Sequence, residues 1–346
     1  MEVKIPSYVY LQKNAISRLG RVLEKIGSQS AIMLTGSTVK KLIEKDIEKI
    51  PFLSVFLVET ASMLQVRDIV LNVGFESVDA VVGIGGGKVI DVSKVVATEL
   101  NAEFISVPTT ASHDGIASPV ASFKENGKPI SISTEPPIAV IADTEIIKSS
   151  PKKLIHSGFA DLISNITAVK DWRLSRDLRG ESYNEVAVAI ASMPAFLMVS
   201  RANEANFRLE DEIETLLRGL IMSGVAISIA GSSRPASGAE HKFSHAIDFL
   251  GYGNGTHGEQ VGLGTIIFEY FYEKEYGEGN WELISMSLKN AGAPTKAAEI
   301  GLSKEQVLEA LLYAKKIRKK RFTILEALDP SREDFERALR ETKIVE

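Results

Sequence analysis

Ala80-Val-Val-Gly-Ile-Gly-Gly-Gly-Lys-Val-Ile-Asp91 decides the fold. A short, continuously apolar run passes straight into three glycines and then into a helical pattern, with Val89, Val92, Val96 and Leu100 along one face. An apolar run of that length without alternation reads as a strand covered on both faces of a parallel sheet. Gly85, Gly86 and Gly87 have no Cβ, so their backbone N–H groups admit close approach. The start of the following helix adds a partial positive charge, and together these favour a phosphate or pyrophosphate. The dinucleotide fingerprint G-x-G-x-x-G fails at its third glycine, where Lys88 stands, and the P-loop pattern fails because Val89 follows Lys88. A tight strand-to-helix turn also uses glycine, but three in succession exceed what a turn needs.

The same texture extends outward on both sides. Ala31-Ile-Met-Leu-Thr35, Ser54-Val-Phe-Leu-Val58, Phe104-Ile-Ser-Val107 and Ile138-Ala-Val-Ile-Ala142 are further buried-strand runs, with helical stretches such as 15–26 and 63–73 between them. The alternation predicts a doubly wound, mostly parallel α/β sheet, Rossmann-like in layout. Glu125-Asn-Gly127, flanked by runs at 117–123 and 129–133, signals one β-hairpin insertion. After Ser149-Ser-Pro151 strand-like runs vanish and long amphipathic patterns take over, so the chain divides into an α/β domain at 1–149 and an all-helical domain at 150–346. The most apolar windows, 186–200 and 219–230, fall short of the ~20 residues that span a bilayer and are expected to be buried core helices. Lys315-Lys-Ile-Arg-Lys-Lys-Arg321 is expected to be a solvated helix face.

A length of 346 residues suggests two domains, and 45% hydrophobic with 25% charged residues is a globular composition. The net charge of −5 disfavours binding to nucleic acid through phosphate neutralisation. There is no cysteine, so disulfides, iron–sulfur ligation and thiolate nucleophiles are excluded, and a zinc site would need His, Asp or Glu. No basic start followed by an apolar run is visible, so a cytoplasmic protein with no membrane insertion is expected.

Of five histidines, His241, His245 and His257 fall within seventeen consecutive residues, while His156 reads as surface or linker. Ser237-Gly-Ala-Glu240 and Thr256-His-Gly-Glu259 both fit a capping box, which fixes two helix starts and gives Glu240 and Glu259 structural roles. His241 and His257 then sit in the first turns of adjacent helices, with His245 one turn beyond His241 on the same face. Asp161, expected in an early turn of the apolar helix beginning near Ser157, is the best candidate for a third metal ligand. The spacing alone equally allows Asp161 to complement a helix dipole and the histidines to be core or cap residues. A second loop, Val107-Pro-Thr-Thr-Ala-Ser-His-Asp-Gly115, offers the hydroxyls of Thr109, Thr110 and Ser112 past a strand's carboxyl end, where open α/β sheets bind ligands.

In order, Gly85-Gly-Gly-Lys-Val-Ile-Asp91, the loop 107–115, Gly158-Phe-Ala-Asp161, Ser237-Gly-Ala-Glu-His241 and Thr256-His-Gly-Glu-Gln-Val-Gly262 span nearly the whole chain. This set resembles the superfamily that holds glycerol dehydrogenase, iron-containing alcohol dehydrogenase and, more distantly, 3-dehydroquinate synthase. Thr110-Ala-Ser-His-Asp-Gly115 and Arg234-Pro-Ala-Ser-Gly-Ala-Glu-His241 resemble its archaeal sn-glycerol-1-phosphate dehydrogenase branch most. The resemblance implies a nucleotide domain, a helical domain and an active site in the cleft between them. It makes Asp161, His241 and His257 ligands of Zn2+. It assigns Gly85, Gly86, Gly87, Lys88, Val89, Asp91, Thr109, Thr110, Ser112 and Ser118 to NAD(H) or NADP(H), and Asp114 and His245 to the substrate. Glu59, at the end of the second strand, would accept a ribose hydroxyl and repel a 2′-phosphate.

The implied reaction is reduction of dihydroxyacetone phosphate to sn-glycerol 1-phosphate, in a homo-oligomer serving archaeal-type membrane lipid synthesis. His245 would relay a proton or orient a substrate hydroxyl. Lys242 and Arg234 are near in sequence, and the group holding the substrate phosphate is left unassigned. Rivals are a glycerol dehydrogenase acting on an unphosphorylated polyol, a dehydroquinate-synthase-like lyase, and a regulatory nucleotide-binding protein. The intact Asp161, His241 and His257 set argues against the last.

Overall fold

In the computed structural model, which describes residues 3–74, 76–125 and 128–345, the five apolar runs are all strands of one parallel sheet. They are β2 (Ala31–Thr35), β3 (Phe52–Leu57), β4 (Ala80–Gly85), β5 (Glu103–Pro108) and β8 (Ala139–Asp143), joined by β1 (Tyr8–Gln12), which the sequence reading did not find. The order is β1-β8-β5-β4-β2-β3, every pairing parallel. β6 (Val120–Glu125) and β7 (Lys128–Ser133) form the expected antiparallel hairpin; the turn at Asn126 and Gly127 lies outside the described residues.

Helices α1 (Leu19–Lys25), α2 (Ser37–Ile47), α3 (Met63–Val73), α4 (Gly87–Glu99) and α5 (Thr144–Lys148) complete this unit, Met1–Pro151. Successive side chains of a strand face opposite ways, so the inner strands are buried on both faces, whereas edge strand β3, expected to be covered on both, leaves Leu53, Val55 and Leu57 exposed. Ile32, Leu34 and Val81 pack with Val66, Ile69 and Val92 of α3 and α4. Met33, Ala80 and Val82 pack with Leu19, Val22 and Ile43 of α1 and α2. Each such aliphatic side chain taken from water contributes about 1.5–3 kcal/mol. Strand order reverses between β2 and β4, which is where an open α/β sheet opens a crevice beyond its carboxyl ends.

The second unit, Lys152–Glu346, is helical. It comprises α6 (Lys152–Arg179), α7 (Glu185–Ala202), α8 (Ile213–Ala230), α9 (Ala239–Leu250), α10 (His257–Tyr276), α11 (Trp281–Asn290), α12 (Lys304–Ala314), α13 (Ile324–Leu328) and α14 (Arg332–Glu341). α6 begins five residues before Ser157, so Asp161 lies in its third turn and not an early one, and His156 is a half-buried helix residue, not a linker. Of the two apolar windows, α8 buries Leu216, Leu217 and Leu220 as expected. α7 does not: Val186, Met193, Phe196 and Leu197 are exposed, because a helix apolar all round carries no pattern that says which side is covered. Both are apolar and long enough to cross a membrane by length and composition.

The basic cluster also departs from expectation. α12 stops at Ala314, and the chain then turns, with Arg318 at φ 43°, in the left-handed region that few residues besides glycine adopt. Helical periodicity therefore does not apply there, and Arg318 and Arg321 face inward to hydrogen-bond Ser237 and Ser233.

Candidate functional site

Three helices of the second unit bring Asp161, His241 and His257 together, and glycines let them do so. Gly258, beside His257, lies so near α6 that an added Cβ would stand 1.9 Å from the Ser157 carbonyl oxygen. Gly264 of α10 meets α9 in the same way, 2.9 Å from the Glu240 Cα. Thr256 caps α10: its Oγ1 accepts from the Glu259 N–H, and the Glu259 carboxylate accepts from the Thr256 N–H at 2.7 Å. The box expected at Ser237 does not form. Gly238 caps α9 with no side-chain bond, and Glu240 turns its carboxylate inward to accept from the Gly238 N–H and to face His241.

Asp161 Oδ1 lies 3.7 Å from His241 Nε2 and 3.6 Å from His257 Nε2, and all three donors fall within 4.8 Å of one another. Tetrahedral zinc with bonds of 2.0–2.2 Å separates its ligands by about 3.4 Å, so the donor set is close to that edge length. Both Nδ1 atoms face a second partner, Glu240 Oε1 at 2.9 Å for His241 and Ser244 Oγ at 3.2 Å for His257. Ser244 Oγ gives its own proton to Gln260 Oε1, so it accepts from His257 Nδ1–H. That tautomer leaves the His257 Nε2 lone pair toward Asp161, the arrangement metal-binding imidazoles require. One carboxylate and two oriented imidazoles fit a divalent cation.

Burial pushes the Glu240 carboxyl up to about 7. Asp171 of α6 is also pushed up to about 7, by burial and then by the Glu240 charge. Asp171 accepts from the Ala239 N–H, the Ile324 N–H and the Tyr272 hydroxyl, so it anchors the start of α9. His245 follows one turn after His241, its ring centre 6.0 Å from that of His257. It is 8% exposed, and its Nδ1 has no hydrogen-bond partner among the described residues. Burial, and then the nearby Arg318 cation, hold its pKa well below the usual imidazole value.

In the first unit the glycine turn follows β4 directly, at the reversal of strand order. None of Gly85, Gly86 and Gly87 has a positive φ, so close approach and not backbone freedom selects them. Added Cβ atoms at Gly85 and Gly87 would meet Val89 at 2.7 Å and His113 Nε2 at 2.2 Å, whereas Gly86 meets only Thr110 Oγ1 at an ordinary 3.5 Å. Gly85 is thus demanded by the turn itself and Gly87 by the His113 ring, while Gly86 alone meets its neighbour at ordinary contact distance. Lys88 Nζ donates to the Glu59 carbonyl at 2.6 Å, which unites those two candidates. Val89 packs in the core, leaving only its backbone for a ligand.

Asp91 is engaged structurally: its carboxylate takes the Ser122 N–H at 3.2 Å and buried Lys94 at 3.4 Å, tying α4 to the hairpin. Thr109, Thr110 and Ser112 line the loop after β5, and Ser118 Oγ turns to the Val120 carbonyl. Asp114 opens the short turn after that loop.

Sequence reasoning missed Glu240 and Ser244 as partners of the histidines, and did not single out Thr35-Gly36, where β2 ends and α2 begins on the other side of the strand reversal. The last had a signal, a strand ending in Gly before a helix. The first two had none, because side-chain direction within a helix turn is not legible from residue type.

Known proteins bear out the architecture. A family model described as iron-containing alcohol dehydrogenase matches residues 10–151. A relative from Archaeoglobus fulgidus, named glycerol-1-phosphate dehydrogenase, NAD(P)+, is 62% identical and covers 99% of this chain and 98% of its own. One of the same name from Methanothermobacter thermautotrophicus is 41% identical over 99% of both. Among solved structures, a probable glycerol dehydrogenase of Sinorhizobium meliloti superposes with TM-score 0.78 at 20% identity over 99% of each chain, which speaks to the fold. The chain belongs to the glycerol-1-phosphate dehydrogenase family.

Proposed function

We propose that the protein is an NAD(P)-dependent, divalent-metal oxidoreductase that reduces dihydroxyacetone phosphate to sn-glycerol 1-phosphate. The observation that carries this reading is the convergence of Asp161 Oδ1, His241 Nε2 and His257 Nε2, in a chain of this family. Those three residues would hold the cation. Bound there, it supplies a Lewis acid for a carbonyl oxygen, and the reduced nicotinamide supplies a hydride. Glu240 and Ser244 fix the tautomers of His241 and His257, so both imidazoles present their lone pairs without reorganisation.

His245 has a separate task. Its suppressed pKa keeps it neutral at pH 7, which favours a hydrogen bond from its ring to a substrate hydroxyl over storage of a proton. Asp114 is assigned to a second substrate hydroxyl. The amino end of α4, reached past Gly86 and flanked by Lys88 and the Thr109, Thr110 and Ser112 hydroxyls, would take the dinucleotide phosphates. Glu59, whose carbonyl accepts from Lys88, would meet the ribose, and Ser118 would join from the β5–β6 connection that carries Thr109, Thr110 and Ser112. The proposal extends to a cytoplasmic homo-oligomer without membrane insertion, supplying the glycerol phosphate of archaeal-type lipids.

The test follows NADH or NADPH absorbance with dihydroxyacetone phosphate, with dihydroxyacetone and with no ketone, before and after chelation. Oxidation that needs the phosphorylated ketone and returns with added metal supports the reading. A preference for the unphosphorylated ketone would favour a glycerol dehydrogenase, and no oxidation at all a lyase.

A further inference from the structure

We propose that Arg318 and Arg321, on the turn after α12, bind the phosphate of the substrate, a phosphomonoester dianion. The assignment rests on the reaction proposed above. Two cations near the start of α9 are neutralised by carboxylates. Arg234 forks onto the Glu181 carboxylate, with Nε at 2.8 Å, and buried Lys242 is paired with the Glu326 carboxylate. Arg321 is different: among the described residues it donates to uncharged oxygens, the Ser233 carbonyl at 3.3 Å, the Ser233 hydroxyl at 2.9 Å and the Ser237 carbonyl. Burial and the adjacent Arg318 and Arg234 cations push its pKa down to about 9, so positive charge there is under-compensated. Buried like charges persist where an anion completes them.

Arg318 stands one turn of chain away, its Nη1 3.1 Å from Ser237 Oγ. The turn is closed by the Arg321 N–H on the Arg318 carbonyl at 2.7 Å and holds Arg318 at φ 43°, a conformation that L side chains rarely adopt. Strain of this kind is retained where it aims a side chain. Along α9, whose start Arg318 touches through Ser237, His245 has its Nδ1 buried and without a hydrogen-bond partner among the described residues. That ring in turn lies 6.0 Å from the ring of His257. Guanidinium forks beside an orphaned imidazole and a metal-binding cluster make a site for a ligand with phosphate at one end and oxygen donors at the other. Paired guanidiniums match phosphate oxygens better than a point charge does.

Two measurements test this on the metal-loaded full-length protein. Inorganic phosphate is titrated against thermal stability, using wild type, Arg318→Gly, Arg318→Lys and Arg321→Lys. Glycine accepts the positive φ, so the first variant keeps the turn. Wild type is expected to bind phosphate and Arg318→Gly to bind it at least about tenfold more weakly, with the lysine variants between. The second measurement is the ratio of kcat/KM for dihydroxyacetone phosphate to that for dihydroxyacetone, expected to fall roughly 100-fold in Arg318→Gly. Phosphate binding unchanged in Arg318→Gly, or equal losses for both ketones, overturns the assignment. If wild type prefers the unphosphorylated ketone yet loses phosphate binding on Arg318→Gly, the anion site stands and the proposed reaction fails.

Discussion

Gly258→Ala isolates the packing that creates the metal centre. The added Cβ would stand 1.9 Å from the Ser157 oxygen and 2.6 Å from its carbonyl carbon, backbone atoms that cannot rotate aside. Ordinary contact begins at 3.4 Å, so α6 and α10 must part by about 1.5 Å. Asp161 lies one helical turn beyond Ser157, and His257 adjoins Gly258, so the separation falls directly on that pair of ligands. Their 3.6 Å spacing would open to about 5 Å, against about 3.4 Å for two ligands of tetrahedral zinc. Loss of one of three protein ligands should weaken zinc binding roughly 100-fold, and the overpacking should cost about 1–3 kcal/mol of stability. Competition with a chromophoric chelator measures the first, and thermal unfolding of the metal-free protein the second. Gly262→Ala is the control in the same interface, since its Cβ would meet the Ala160 Cβ at 3.1 Å and flexible Leu288. It should cost little in zinc affinity. Wild-type zinc affinity in Gly258→Ala would refute the reasoning.

Ser244→Ala removes the acceptor for His257 Nδ1 and should lower zinc affinity about 10–100-fold with the fold intact; an unchanged affinity means that Ser244 does not set the tautomer. Gly86→Val should raise the cofactor KM about tenfold or more while unfolding shifts by only a few degrees, because its Cβ has room inside the protein; an unchanged KM would leave the glycines as a turn alone. Burial and mutual repulsion raise the buried Asp171–Glu240 pair from the ordinary carboxyl range toward about 7, so the folded chain holds more protons than the unfolded one in between. The pair's contribution to stability is therefore present below about pH 4 and lost as pH rises through about 7. Asp171→Asn should flatten that part of the curve for metal-free protein, and an identical slope in the two proteins would contradict the raised pKa.

How far the sequence reaches is clearest at its failures. β2, β4, β5 and β8 were legible because strands covered on both faces need unbroken apolar runs. Edge strand β1, with alternating burial and a tyrosine-rich, half-exposed sequence, has no such signature. Thr256 and Ser237 head the same four-residue pattern, yet only the first makes a capping box, since at the second the carboxylate is drawn to His241. The Lys315–Arg321 stretch was misread because periodicity assumes that the helix continues, and a single residue at positive φ redirects two arginines inward. Asp161, His241 and His257 were legible as candidates from the histidine cluster and the helix starts, but spacing left ligands and core or cap residues even, and the motif resemblance decided between them.

X-ray absorption at the zinc edge, on protein loaded with one equivalent, tests the metal centre without reference to turnover. The account expects two imidazole nitrogens and one carboxylate oxygen at about 2.0–2.2 Å, with one imidazole lost in His241→Ala and one in His257→Ala. A first shell without imidazole, or one that both substitutions leave intact, would contradict it.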